Sequence, residues 1–200
     1  MIKVGITGGI GSGKTTVCRI FQYLGIPVYI ADAEAKKLMV NDKNLRKKII
    51  ALLGTDSYKN DELNRQFIAN QVFNNQELLT KLNSYVHPLV RQDFIKWSSK
   101  QKAPYVIYEA ALMIESGSYK LLDKLIVVTA PIELRIDRVC QRDNVDPDKV
   151  LQRINNQMSQ GEMVSYADHV ITNDGKISLL KQVLKLHKKL INSNAEDIVL

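Results

Sequence analysis

The sequence predicts an α/β fold, a parallel sheet flanked by helices. Three observations predict it. Short apolar runs rich in branched residues recur at IKVGI (2–6), PVYIA (27–31), PYVIYE (104–109), KLIVVTA (124–130) and HVITN (169–173), and such runs read as strands covered on both faces. Helical patterns lie between them, which is the alternation expected of a parallel sheet. The first strand runs straight into a glycine cluster that is followed at once by a helical run.

The first junction carries the chemistry. GITGGIGSGKTTV (5–17) places five of the ten glycines within nine positions, although glycine in an element interior costs about 0.5–1 kcal/mol relative to alanine. Gly8, four further residues and Gly13-Lys14-Thr15 match the phosphate-binding pattern GxxxxGK[ST]. Glycines at Gly9, Gly11 and Gly13, with Ser12 among them, let backbone N–H groups curl around an anion with no Cβ in the way. The positive end of the following helix points at the same spot. Lys14 is placed to reach the outer phosphates of a nucleotide, Thr15 to hold Mg²⁺ through its hydroxyl, and Thr16 to bind ATP with them. In TTVCRIFQYL, Val17, Ile20, Phe21 and Leu24 recur at helical spacing.

After the second strand the pattern changes. About seventy residues carry no strand signal and are dominated by helical patterns such as LRKKIIALLG and ELLTKLNSYVHPLV, whereas a simple crossover needs only about a dozen. The excess reads as an inserted helical substrate subdomain, 32–103. A second charged interval, RVCQRDNVDPDKVLQRINNQMSQGEMV (138–164), reads as a mobile lid over the phosphates, 139–164. The core is then 1–31 with 104–138 and 165–200, one domain of 200 residues in all.

Composition narrows the class. The 45% hydrophobic content suffices for a substantial core. Cys18 and Cys140 show neither metal spacing nor a disulfide pattern, and Cys18 reads as a buried thiol. The N-terminus enters strand 1 directly, with no signal segment, and no apolar run approaches the roughly 20 residues that span a membrane. These features lead us to expect a cytoplasmic protein without membrane attachment. The net charge of +7 fits either nucleic acid or a small polyphosphate. Yet the dense basic runs, KNLRKK (43–48) and KLHKK (185–189), suit solvated helix faces. Aromatics are 6% and fall in apolar patterns, so a nucleic-acid-binding module is the weaker reading. ITNDG lacks the Asn-Lys-x-Asp signature of a GTPase; another small-molecule or nucleotide kinase of the same fold stays open.

Taken in order, these segments resemble the dephospho-coenzyme A kinase family. GITGGIGSGKTTV looks like its opening strand and loop, and GIPVYIADAEAKKL its segment ending in Asp-Ala-Asp. LNRQFIANQVF is similar to its arginine-bearing segment, LNSYVHPLV to its His-Pro motif, and EAALMIESG to its Pro-Leu-Leu-Phe-Glu stretch. RVCQRD, RINNQ and ADHVITNDG follow in the family's order. Three positions depart: Ile30 stands in place of the first aspartate, and Ala111 and Ile114 replace the proline and phenylalanine. They bear on pocket shape more than on chemistry.

The resemblance implies a P-loop kinase core that transfers the γ-phosphate of ATP to the ribose 3′-hydroxyl of dephospho-CoA, with Mg²⁺, acting as a monomer or small homo-oligomer. Such a site needs basic groups, Mg²⁺ and one orienting carboxylate. Lys14, Asp32 and Arg142 are then the catalytic candidates. Asp32 is expected to end the second strand and to orient or deprotonate the hydroxyl; the competing reading is a helix N-cap for AEAKKL. Arg142 would stabilise the transferring phosphoryl, with Arg138 four residues earlier on the same helical face contacting ATP. An ion pair with Asp137 or Asp143 is the alternative for both. Asn173 would contact adenine or merely end its strand. Arg65 would pair with a substrate phosphate or be a solvated helix residue. His87 would line the substrate pocket or be structural. Glu109 would meet the substrate, or hold Mg²⁺ through water beside Thr15, as Asp32 also can.

Overall fold

The computed structural model describes residues 1–73 and 75–196. Residue 74 of the expected insertion and residues 197–200 of the expected core segment lie outside the described residues. The first elements are β1 (Ile2–Thr7), α1 (Lys14–Tyr23), β2 (Val28–Ile30), α2 (Ala31–Asn41), α3 (Lys43–Leu53), β3 (Tyr58–Lys59), β4 (Glu62–Leu63), α4 (Arg65–Phe73) and α5 (Gln76–Ser98). Then come β5 (Tyr105–Glu109), β6 (Lys124–Thr129), α6 (Ile132–Asp143), α7 (Pro147–Asn155), α8 (Gln160–Ser165), β7 (His169–Thr172) and α9 (Leu179–Glu196). They form two compact units: Met1–Tyr29 with Gln101–Leu200, and Ile30–Lys100.

The first unit is built on a five-stranded sheet of order β2-β5-β1-β6-β7. β1 is central and runs parallel to both β5 (Ile6 opposite Glu109) and β6 (Thr7 opposite Val127). Burial of both faces of the central strands explains their unbroken apolar runs: Val4, Ile6, Ile107 and Ile126 are buried on one face and Val106, Tyr108, Leu125 and Val127 on the other, whereas Val170 of edge strand β7, expected to be covered on both faces, is exposed. α1 and α9 cover the sheet with Val17, Phe21, Val183, Leu186 and Leu190, which join the strands in one cluster. The Lys185, Lys188 and Lys189 face of α9 is exposed, as the basic run KLHKK suggests. Two aspartates clip the N-terminal ends of the strands. Asp123 accepts the Lys3 N–H (2.7 Å), and Asp168 accepts the Leu125 N–H (2.8 Å). Gln182 of α9 seals the edge strand by bonding both the N–H and the C=O of Thr172 (2.9 and 2.8 Å).

The second unit packs α2, α3, α4 and α5 around Leu45, Ile49, Leu53, Val86, Val90 and Phe94. Asp42 caps α3 by accepting the N–H groups of Asn44 and Leu45 (2.9 and 2.8 Å). Pro88 lies inside α5, so the helix runs on through a residue that can donate no backbone hydrogen bond.

Two local expectations are corrected. The interval read as free of strands contains the β3–β4 hairpin, in which Tyr58 pairs with Leu63 and Lys59 with Glu62. Its turn residues Asn60 and Asp61 adopt positive φ (51° and 66°), conformations that asparagine and aspartate tolerate. Second, β2 stops at Ile30, so Asp32 does not end a strand; it lies in the first turn of α2. The N-cap is Ile30, with no side-chain cap bond, so Asp32 is not the cap either. The helix-forming run ADAEA starts the helix directly, and its acidic first turn suits the macrodipole.

Phe21 is fully buried and meets Tyr105 edge-on at 6.2 Å, fastening α1 to the sheet. Phe21→Ala should lower the unfolding free energy by about 3–5 kcal/mol in denaturant titrations. A change below about 1 kcal/mol would mean that α1 is held by other contacts.

Candidate active site

The loop between β1 and α1 is held almost inside out. Lys14 folds back over it, and its Nζ donates to the carbonyls of Gly8 (2.7 Å) and Gly9 (3.3 Å). Arg135 Nε donates to the Ile10 carbonyl (2.9 Å), and Arg138 Nη1 to that of Gly11 (3.4 Å). Asn173 Nδ2 donates to the Ser12 carbonyl (2.8 Å), and the Gly13 carbonyl accepts the N–H groups of Thr16 and Val17. Every carbonyl from Gly8 to Gly13 is thereby engaged by a donor. The α1 N-terminus is the complement: Gly13 is its N-cap, in the left-handed region, and offers no side-chain cap bond. The start of a helix carries the positive end of its dipole and N–H groups that its own carbonyls satisfy only in part, here at Thr16 and Val17. The result is a cradle suited to an anion.

Close packing around the loop requires glycine. A Cβ on Gly13 would land on Asn173 Nδ2, and one on Gly11 would land on the Arg135 backbone; both residues also have positive φ (98° and 77°). The Ser12 side chain is completely buried, and its hydroxyl has no hydrogen-bond partner among the described residues. Thr15 and Thr16 are exposed at the start of α1.

One face of α6 supplies the cations behind the loop. Arg135 is only 6% exposed, and burial lowers its guanidinium from the ordinary arginine value. Arg138 also bonds the Asn173 carbonyl (3.2 Å) and side-chain oxygen (3.3 Å), which joins the end of β7 to the loop. Arg142, one turn further on, is largely exposed and forms a two-pronged pair with Asp143 (2.7 and 2.9 Å). That pairing raises its pKa and holds the Asp143 carboxyl below the usual range. Glu109 ends β5 in the sheet interior, 7% exposed. Its charge is felt at Cys18, whose thiol is pushed up first by burial and then by Glu109, against an opposing pull from Lys14. Cys18 is therefore a neutral packing group.

The dephospho-CoA kinase family model (CoaE) matches residues 2–178. The chain belongs to the dephospho-CoA kinase family. The Bacteroides fragilis (strain YCH46) dephospho-CoA kinase is 40% identical over 186 residues, which cover 92% of this chain and 91% of the relative. Among solved structures, TT1252 from Thermus thermophilus superposes with a TM-score of 0.84 at 34% identity, covering 94% of this chain and 96% of that one. The Campylobacter jejuni dephospho-CoA kinase gives 0.69 at 27% identity, covering 96% and 98%.

In this family member Gly9, Gly11, Ser12, Gly13, Lys14, Arg138 and Asn173 meet at the loop. Asn173 does so with its side chain turned onto the Ser12 carbonyl, a role that the sequence reading did not foresee. Arg135 was not singled out, and Gln157 entered only as the end of the family-like segment RINNQ, with no role assigned. Arg135 shares the α6 face of Arg138 and Arg142, so its helical spacing was a usable signal. Gln157 lies in the turn between α7 and α8, where no periodicity marks it, and its signal was the family-like segment RINNQ that it ends. Residue 139, the expected start of the lid, falls within α6, where Val139 is buried.

In the second unit Asp32 is exposed in the first turn of α2, and Arg65 is the exposed first residue of α4. Arg65 lines a concavity with Lys59, Asn60, Glu62, Leu63 and Asn64. A cation at a helix N-terminus is unfavourable for that helix, so its position is not explained by helix stability. His87 is half-buried on α5. Burial lowers its pKa and the nearby Arg91 lowers it further, while Asp32 pulls the other way.

With its folded pKa below the unfolded value, His87 takes up its proton more readily in the unfolded chain. Its contribution therefore reduces stability as pH falls below about 6.5. His87→Gln should flatten the loss of unfolding free energy between about pH 7 and pH 5 relative to the native protein. Identical pH profiles would show that the folded environment does not disfavour the imidazolium.

Proposed function

We propose that the chain transfers the γ-phosphate of ATP to the ribose 3′-hydroxyl of dephospho-CoA, giving coenzyme A and ADP, the last step of coenzyme A synthesis. The observation that carries this reading is the glycine loop before α1 whose carbonyls are each engaged by a donor, Lys14, Arg135 and Asn173 among them, in a chain that matches the dephospho-CoA kinase family over residues 2–178. Backbone N–H groups at the start of α1 bind the phosphates. Lys14, released from the Gly8 and Gly9 carbonyls, neutralises the outer ones. Arg142, released from Asp143, meets the charge that develops on the transferring phosphoryl. Arg65 supplies a cation for the phosphates of dephospho-CoA, and His87 lines the same subdomain. Asp32 orients the attacking hydroxyl or accepts its proton.

Mg²⁺ fits the donor set. Among the described residues no group of three His, Cys, Asp or Glu side chains could hold a metal ion. A hydroxyl at Thr15 and a carboxylate at Glu109 are hard oxygen donors of the kind that share this ion with nucleotide phosphates and water. When bound, the ion offsets the negative charge of the β- and γ-phosphates. The enzyme works in the cytoplasm as a monomer or small homo-oligomer. No helix among the described residues is long and apolar enough to cross a membrane.

A coupled assay of ADP release tests the reading directly. ADP should appear with ATP, Mg²⁺ and dephospho-CoA, and not with other hydroxyl acceptors; turnover on a different acceptor alone would reassign the substrate. Lys14→Ala should lower turnover by about 10²–10³ with the fold intact. Asp32→Asn should cost only a few tenths of a kcal/mol in stability, because the residue is not a cap and loses only its macrodipole interaction. Its turnover should fall by about 10²–10⁴. A wild-type rate for Asp32→Asn would remove the catalytic role.

A further inference from the structure

Ile10 is gripped on both of its backbone polar groups by side chains from one distant interval. Its carbonyl accepts from Arg135 Nε (2.9 Å), and its N–H donates to Gln157 Oε1 (2.9 Å). Arg135 stands on α6, and Gln157 in the turn between α7 and α8. The guanidinium also fills the space beside Gly9, where a Cβ would strike Arg135. The Ser12 N–H, two residues on, closes onto the Gly9 carbonyl (3.1 Å), completing the turn.

A peptide plane held at one end can still rotate; a residue held at both its N–H and its C=O fixes the planes before and after it. We propose that Arg135 and Gln157 are positioning residues that set the phosphate loop through Ile10 and thereby set the affinity for nucleotide phosphate. The clamp acts on the loop and not on the reacting atoms. Because the Ile10 N–H donates to Gln157, it is not among the donors that the loop offers to an anion. The clamp also ties the α7–α8 turn to the loop, so nucleotide affinity and the placement of that turn are linked. This inference rests on the assignment of the loop as the ATP site.

The test is ADP binding to the full-length protein, measured by calorimetry. Gln157→Leu removes the acceptor at similar volume. Gln157 is half-buried and borders a cavity of about 580 Å³ that also touches Ile154 and Met158, so the variant has room to fold. We expect ADP affinity to fall about tenfold, the effect of losing one well-placed hydrogen bond. The KM for dephospho-CoA should stay within about twofold. Arg135→Met removes the donors and keeps an apolar stem, and should weaken ADP by at least as much. Because both side chains hold the same residue, the double variant should bind ADP within about twofold of the weaker single variant. Multiplication of the two effects would show independent structural roles and overturn the proposal. ADP affinity within twofold of the native protein for Gln157→Leu would overturn it alone, whether or not Arg135→Met folds. Lys14→Ala is the control arm: if that variant binds ADP as the native protein does, the loop assignment fails and the proposal with it.

Discussion

The site depends on carbonyl groups facing the right way. A loop of small residues exposes as many acceptors as donors, and a carbonyl lone pair pointed at a phosphate repels it. Here the carbonyls from Gly8 to Ser12 are each engaged by Lys14, Arg135, Arg138 or Asn173. Three of these four are cations, so the groups that satisfy the carbonyls also raise the positive potential behind the cradle. Satisfaction and electrostatics therefore point the same way. Removing Arg135, Arg138 or Asn173 would strand the carbonyl it holds in a partly buried setting and loosen the donor array with it.

The sheet makes this arrangement possible. A parallel sheet directs the C-terminal ends of its strands to one edge, and in an open α/β fold ligands bind outside that edge. β1 sits in the middle of the order, and its neighbour β6 leads into α6, whose arginine face reaches the loop. At the opposite edge Asp123 and Asp168 clip the strand starts, so register is set there and the C-terminal ends are free to diverge into the loop, Glu109 and Asn173. Asn173 is held at that end by its own N–H, which donates to the Thr129 carbonyl (2.8 Å).

The Ile30–Lys100 unit follows a different logic. Amphipathic patterning is clear along α3, where Leu45, Ile49 and Leu53 are buried while Lys43, Lys47 and Lys48 are solvated. Arg46 stacks over the Tyr58 ring (4.5 Å) and pairs with Asp61 (2.9 Å), fastening the hairpin to α3. Tyr58 in turn donates its hydroxyl to the Met39 carbonyl (2.7 Å). A hairpin with strands of two residues is too short to stand alone, and these contacts hold it.

Much of the architecture was legible in the sequence because its signals are local. The five strands of the sheet, the glycine pattern of the phosphate loop and the helical run after it each declare themselves within about a dozen residues. So do the basic helix faces and the buried Cys18. Where local signals competed, the reading slipped. ADAEA suits a cap, a strand end or a helix, and only the folded chain shows Asp32 inside the first turn of α2. The Asn60-Asp61 turn lacks the glycine that usually marks a two-residue hairpin. What tertiary structure alone decided is which side chains hold the loop. Arg135 reaches Ile10 across 125 residues, Gln157 reaches it across 147, and Asn173 reaches Ser12 across 161. Sequence dictates an interaction when spacing along a helix or strand brings two groups together. Helical spacing puts Arg135 on the face of Arg138, but these partners meet the loop only because sheet order and the packing of α6 bring them to one edge.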